Sequence, residues 1–359
     1  MSYLKHSEVI ASIHSKFETA KSSGALFFYP STLSKATERG FNFEITICPA
    51  LQKMPVTPAP DFARVDKPDP FAPPYIPDLF VGELKDELDG DEFAILLNKF
   101  SIIPGHFLMV TKAFQSQNSP LTPPQLTQAY LLIRASQQSK TPLFAFYNCG
   151  VDSGASQPHK HIQFVPTTRE DSDDDEDDSR PPVEAYVQGL KIEGDTKVFS
   201  LPLPYTHLVQ KLDLPKTTIS GTKPLPKQAL EELSVKLTSA FLKLLDEAVQ
   251  SIRIHHGSQT STTGSAATAS FNIILTSEHM HLIPRLRAET VEELHPDAAG
   301  RAEAEAAAYT PEKLSVNSLG FAGTLLAKSE AEAQAIKARG VIELLSQVGV
   351  PNAGDQADN

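Results

Sequence analysis

The sequence predicts an α+β fold with a mainly antiparallel sheet and packed helices. Three observations carry that prediction. Strand-length apolar segments come as neighbours joined by turn signals, as with Phe93–Leu97 and His106–Val110 around Pro104-Gly105. Helical patterns do not alternate with strands in a βαβ repeat, which argues against a parallel sheet. The periodic segments are also separated by stretches of biased composition, read as disordered insertions.

In chain order, Val9, Ile10, Ile13, Phe17 and Ala20 fall on one side of a helix over residues 2 to 22, ended by Gly24. Phe43–Ile47 alternates as a strand closed by Cys48-Pro49. The proline-rich run that follows, to Pro77, is too proline-dense for regular structure and predicts an extended surface segment. After the strand pair at 93–110 comes a helix over Pro124–Gln138, with proline at its start and Leu126, Tyr130 and Ile133 along one side. Leu143–Tyr147 is a further strand. Glu170 to Asp178 holds eight acidic residues in nine, a solvated insertion, and residues 181 to 221 receive no assignment.

Leu230, Leu233, Leu237, Phe241, Leu244, Ala248 and Ile252 mark the strongest helix, Pro226–Ile252, which precedes a low-complexity stretch from Ser258 to Ser270. Phe271–Thr276 reads as a strand and His281–Arg285 as its hairpin partner. A polar, alanine-rich helix is expected over 289–308, a glycine-containing turn into an apolar run over Ser318–Leu326, and a closing helix over Glu330–Val348. The expected organisation is residues 1–200, carrying the site strand, packed with residues 201–359 into one unit.

A chain of 359 residues with 40% hydrophobic and 21% charged residues can bury a substantial core. The net charge of −12 argues against general binding to nucleic acid, which depends on neutralising phosphates. Cys48 and Cys149 make no disulfide framework. With no leader-like or membrane-spanning run, the expectation is a cytoplasmic protein, with the nucleus also open.

The chemistry concentrates in residues 147–166. A strand-length run ends at Tyr147, and the loop Gly150–Ser156 has small residues whose N–H groups can face a ligand. His159-Lys160-His161-Ile162-Gln163 then places His159, His161 and Gln163 on one strand face. Two imidazoles and an amide beside N–H donors suit attack on phosphorus and stabilisation of the charge that develops. A His-x-His pair alone also arises by chance, in zinc sites or on surfaces. The alternation continuing to Gln163 and the Ser-Gly-Ala-Ser loop single this one out.

The run Asn148-x-Gly150-x-x-Ser153-Gly154-Ala155-Ser156-Gln157-x-His159-Lys160-His161-Ile162-Gln163 resembles the histidine triad superfamily, in the branch whose third histidine is glutamine. Within it the run looks like the fungal-type diadenosine tetraphosphate phosphorylases (ATP adenylyltransferases). The resemblance implies a histidine-triad-like fold and phosphorolysis of diadenosine tetraphosphate to ATP and ADP. It makes His161 the nucleophile, His159 orienting support, and Gln163 a donor to a non-bridging oxygen. It implies substrate contacts from Asn98, Lys99, Asn148, Ser153, Gly154, Ala155, Ser156, Gln157, Asn272, Thr276 and Arg285. Lys53 joins these by its position after the early strand; with Lys99 and Arg285 it would supply the local positive charge an acidic protein needs for a polyphosphate.

The implied ligands are small nucleotides and phosphate, with neither nucleic acid nor membrane, acting on a monomer. No tightly bound cofactor or protein-held metal is expected, magnesium accompanying the polyphosphate. His279-x-His281 matches no family position and is read as surface or site-lining, with a zinc half-site as the other option. Three further readings stay open: a hexose-1-phosphate uridylyltransferase, a dinucleoside polyphosphate hydrolase, and a non-catalytic nucleotide sensor.

Overall fold

Helix α1 (His6–Ser22) begins where the Lys5 backbone N–H donates to the Glu8 carboxylate at 2.7 Å, and it buries all five apolar residues of the predicted face. Strands β1 (Phe27–Phe28), β2 (Thr32–Glu38) and β3 (Phe41–Ile47) follow, then β4 (Phe80–Lys85), β5 (Glu92–Leu97), β6 (Phe100–Ser101) and β7 (Phe107–Thr111). Helix α2 (Pro123–Gln138) opens with proline, and the Thr122 N–H donates to the Gln125 side chain at 3.0 Å. Next come β8 (Leu143–Cys149), β9 (His161–Pro166), α3 (Pro182–Gly189), β10 (Phe199–Ser200), β11 (Leu208–Lys211) and the long α4 (Lys227–Ser258). The chain continues through β12 (Phe271–Leu275), β13 (His279–Pro284), β14 (Glu289–Glu293), β15 (Lys313–Ser315), α5 (Ser318–Phe321), β16 (Thr324–Ala327), α6 (Glu330–Arg339) and α7 (Val341–Ser346).

This computed structural model describes residues 3–53, 62, 68–167, 180–190, 198–215, 218, 224–258, 269–294 and 312–352. The acidic run, most of the proline-rich run and most of the Ser/Thr-rich stretch lie outside the described residues, as does the Lys53 side chain. No described helix is long and apolar enough to cross a membrane.

Among the described residues nine strands form one sheet in the order β10-β11-β13-β12-β8-β9-β7-β5-β4, antiparallel at every junction. One face carries α1, α2 and α4, whose Phe17, Leu126, Ile133, Leu237 and Phe241 join one core. On the other face lies the small sheet β16-β3-β2, with Phe41, Phe43, Ile45, Phe321 and Leu345 in a second core with Phe146, Val165 and Ile274. The two expected regions meet inside the large sheet, where Asn148 of β8 pairs with Asn272 of β12.

Three segments differ from expectation. Residues 289–293 form a strand, because Thr290 turns inward and its hydroxyl accepts from the Leu314 N–H of β15 at 3.0 Å. The closing helix is two helices, since Gly340 sits at φ 94° and the Glu38 carboxylate accepts from the N–H groups of Val341 and Ile342 at 2.6 and 3.0 Å. The unassigned 181–221 stretch supplies α3, β10 and β11.

Candidate active site

The site forms where β8 and β9 stop pairing. Their register ends at Phe146 opposite Gln163, and two residues further along stand Asn148 and His161. The fully buried Gln117 amide fills the gap: its oxygen accepts from the His161 N–H at 2.7 Å, and its nitrogen donates to the Asn148 carbonyl at 2.8 Å. A side chain thus replaces ladder bonds and leaves one face open beside Asn148, His161 and Gln163.

His161 is anchored through Nδ1, which lies 2.8 Å from the His159 carbonyl and must therefore donate to it. Its Nε2 has no hydrogen-bond partner among the described residues, so the free lone pair is there. Burial, with His159 nearby, pushes the imidazole down to about 4, which keeps it neutral and nucleophilic at pH 7. The Phe71 ring lies 5.0 Å away, centroid to centroid, and covers it.

The part of His159 that orients His161 is its backbone carbonyl. Both ring nitrogens face oxygens instead: Nδ1 lies 2.6 Å from the Asp69 carboxylate and Nε2 lies 2.7 Å from the Thr111 carbonyl. Its ring is thereby locked, and it pins the 68–71 segment over His161.

Two amides flank His161, each with its oxygen already engaged. Asn148 Oδ1 accepts from Asn272 at 2.8 Å and from the Ser318 N–H and hydroxyl at 3.0 and 2.6 Å. Gln163 Oε1 lies 3.1 Å from His106 Nε2. The nitrogen of each amide has no described partner and is left as a donor on the His161 face. Burial lowers His106 to about 4, so it too is neutral.

These two histidines make stability depend on pH. Between about pH 6.5 and pH 4 the unfolded chain binds protons on them that the folded chain does not, so each costs about 1.4 kcal/mol per pH unit as pH falls. Stability is thus full above about pH 6.5 and declines towards pH 4. Urea midpoints at pH 7, 6 and 5 are expected to fall in that order, and a flat series would show that neither ring is held neutral.

The loop between β8 and β9 is shaped by contacts on its outer side. Gly150 and Gly154 have φ of +92° and +76°, and a Cβ on Gly154 would lie 2.6 Å from the Val316 carbonyl. Ser153 is fully buried, its hydroxyl donating to the Gly150 carbonyl at 2.6 Å. The N–H groups of 154–157 have no described partner and remain as donors. Gly154→Ala is expected to cost about 1–3 kcal/mol through the positive φ and the clash. Thermal denaturation checks this; an unchanged Tm would mean the loop tolerates a shift.

A cavity of about 320 Å³ opens beside this loop, lined by Gly154, Ser156, Asn98, His106 and Gln163 and by apolar Phe100, Ile103, Phe146 and Leu325. Its lining reaches Gln163 and stops short of His161. Lys99, between the lining residues Asn98 and Phe100, is exposed, with Nζ 5.5 Å from the Phe100 ring centroid. Ala155 is buried, and Gln157, half-buried, makes no described polar contact.

Three expected substrate contacts serve as scaffolding. Arg285 is buried; its three nitrogens donate to oxygens of Val348, Ser153, Asn272, Arg287 and Val316, so its charge is enclosed. Burial lowers it to about 9. Asn272 Nδ2 bridges Asn148 and the Ser153 carbonyl at 2.8 and 2.9 Å, holding loop to strand. Thr276 stands just past the end of β12, four residues beyond Asn272 and about 13 Å away at ~3.3 Å per residue, and its hydroxyl donates to Glu184 at 2.9 Å.

His279 and His281 are buried rather than surface or site-lining. His279 Nδ1 lies 2.6 Å from the Glu184 carboxylate, His281 Nε2 lies 3.6 Å from it, and His207 Nε2 meets His281 Nδ1 at 3.1 Å. Burial alone would raise the Glu184 carboxyl, but the His279 bond and the nearby His281 ring outweigh it and hold it well below the usual range. Among the described residues, Glu184, Glu278 and His279 bring potential ligand atoms within 4.8 Å of one another. Within this group Glu184 and His279 are hydrogen-bonded to each other.

His106, Gln117 and Asp69 are site residues the sequence reading missed. His106 lay in view as the first residue of a strand, whereas Gln117 and Asp69 had no local signal.

Residues 1–187 match the family model described as the Ap4A phosphorylase N-terminal domain, and residues 201–351 match the ATP adenylyltransferase C-terminal domain. The fold and the site thus belong to the nucleotidyltransferases of the ATP adenylyltransferase kind. The chain is a member of the Ap4A phosphorylase family. It is 27% identical to diadenosine 5′,5‴-P1,P4-tetraphosphate phosphorylase 2 of Saccharomyces cerevisiae, over 96% of this chain and 95% of that one. Protein APA1 of the same yeast is 26% identical over 76% of this chain and 73% of its own length. The crystal structure of yeast Ap4A phosphorylase Apa2 in complex with AMP superposes with a TM-score of 0.67 at 25% identity, covering 99% of this chain and all (100%) of that one. Its complex with Ap4A gives 0.66 at 25% identity, covering 96% and 97%.

Proposed function

We propose that this protein is an Ap4A phosphorylase, converting Ap4A and phosphate to ATP and ADP, reversibly, through an adenylyl-His161 intermediate. The observation that carries the reading is the His161 ring tied through Nδ1 to the His159 carbonyl at 2.8 Å, with Nε2 unpartnered among the described residues. In the first step Nε2 attacks an α-phosphorus of Ap4A, the phosphorus–oxygen bond to the bridging oxygen breaks, and ATP leaves with that oxygen. In the second, an oxygen of inorganic phosphate attacks the same phosphorus, the phosphorus–nitrogen bond breaks, and ADP leaves. Splitting one displacement in two lowers each barrier.

The free amide nitrogens of Asn148 and Gln163 and the loop N–H groups from Gly154 to Gln157 are placed to receive the non-bridging oxygens. Donors of this kind contribute about 2.7–4 kcal/mol each when they meet charge that grows in the transition state. The cavity lined by Phe100, Ile103 and Phe146 has the size and apolar character for a nucleoside. Magnesium enters this reading only as a companion of the polyphosphate. A monomer in the cytoplasm fits it, the two free cysteines, Cys48 and Cys149, both being buried.

Incubation with Ap4A, with and without phosphate, tests the proposal. ATP plus ADP formed only with phosphate is the expected result. AMP plus ATP without phosphate would identify a hydrolase, and binding without turnover a sensor.

A further inference from the structure

A carboxamide has two chemically opposite ends, and nothing in β9 itself decides which end of Gln163 faces a reacting phosphorus. The neighbouring segments do. The Phe100 N–H donates to Asn98 Oδ1 at 3.3 Å, so the nitrogen end of Asn98 is the one that meets His106 Nδ1, at 3.0 Å. An amide N–H requires a lone pair there, so Nδ1 is unprotonated and the neutral ring carries its proton on Nε2. That proton is donated to Gln163 Oε1 at 3.1 Å. Asn98 and His106 are also held together through the backbone, the Asn98 N–H donating to the His106 carbonyl at 3.0 Å. The His106 ring is buried, 6.2 Å from that of Phe146, and has little freedom to turn.

We propose that His106 is a positioning residue for adenylyl transfer: fixed by Asn98 as the Nε2–H tautomer, it locks the Gln163 carboxamide with its NH2 group towards the transferring phosphoryl group. The inference rests on the phosphorolysis reading above. Without His106 the amide can rotate by half a turn and present its oxygen to a phosphate oxygen. The loss then falls on the transition state, where negative charge on those oxygens must be met, more than on nucleotide binding.

The test is steady-state phosphorolysis by the wild-type protein, His106→Leu, His106→Gln, Gln163→Ala and the double variant His106→Leu/Gln163→Ala. His106→Leu is expected to lower kcat about 10–100-fold with KM for Ap4A within about threefold, the size of effect that mispositioning produces. His106→Gln, whose amide can donate to the same oxygen, should recover most of the loss. In the Gln163→Ala background, His106→Leu should change kcat less than about twofold, because the ring acts through that amide. Losses that multiply in the double variant, or a His106→Leu kcat within about threefold of wild type, overturn the inference.

Nitrogen-15 NMR of the wild-type protein keeps the test open if His106→Leu does not fold. His106 should show a protonated Nε2 and an unprotonated Nδ1 at pH 7, and the other tautomer overturns the relay whatever the activity. A wild-type protein that turns over no Ap4A in the presence of phosphate sinks the functional reading, and with it the catalytic part of this inference, while the tautomer is still read independently.

Discussion

His161→Ala is expected to abolish turnover while nucleotide binding stays within about an order of magnitude of wild type. A nucleophile contributes almost wholly to the transition state, so its removal lowers kcat far more than it weakens binding. The fold should survive. Among the described residues Nε2 has no partner to lose, and the one hydrogen bond of the ring is that to the His159 carbonyl, a loss of about 1–3 kcal/mol if that oxygen stays dry. Quantifying ATP and ADP by chromatography, with calorimetric binding of a nucleotide as the control, separates the two effects. His161→Gly supplemented with imidazole should regain part of the activity, since the space under Phe71 can admit a free ring. Retention of more than a few per cent of activity by His161→Ala would rule out the covalent route.

Gln163→His should redirect the intermediate. In the wild-type protein, withholding phosphate is expected to let an AMP adduct accumulate that is labile in acid and stable in base, as a phosphorus–nitrogen bond is. A histidine at 163 can accept a proton from water, which the amide cannot, so AMP release without phosphate should rise relative to phosphorolysis. The new ring would sit between two imidazoles that are already held neutral by burial, and its own pKa should likewise lie below the ordinary ~6.5. It would then act as a base across the neutral range. If Gln163 only positions the phosphoryl group, both acceptors slow together. AMP and ADP measured from one mixture across a phosphate series decide the matter, and an unchanged ratio removes any gatekeeping by Gln163.

The parts of this protein that were legible in its sequence share a physical cause: they are set by short-range periodicity. Alternation placed His161 and Gln163 on one face, and three-to-four spacing found α1, α2 and α4. Contacts across long sequence separations were not legible. Nothing near Asp69 announces a bond to His159 ninety residues on, and nothing near Gln117 announces that its amide replaces a strand's ladder. The enclosure of Arg285 by carbonyls was not legible, because a cation at a strand end reads the same whether carbonyls or phosphates surround it. The strand at 289–293 was hidden by helix-forming glutamates, its partner lying some twenty residues away.

The pairing of Asn148 with Asn272 also bears on how the chain is made. As the protein leaves the ribosome, β8 is synthesised about 120 residues before the strand that covers its side, an interval of very roughly 6–24 s at 5–20 residues per second. Throughout that interval the nascent N-terminal half presents a fully apolar-flanked strand with unpaired backbone groups, a template for wrong pairing. β3 waits longer still for β16, its parallel neighbour near the C-terminus. A chain truncated before residue 271 should therefore come out as aggregate or bound to chaperones, and pausing of translation inside α4 should lower the yield of active enzyme.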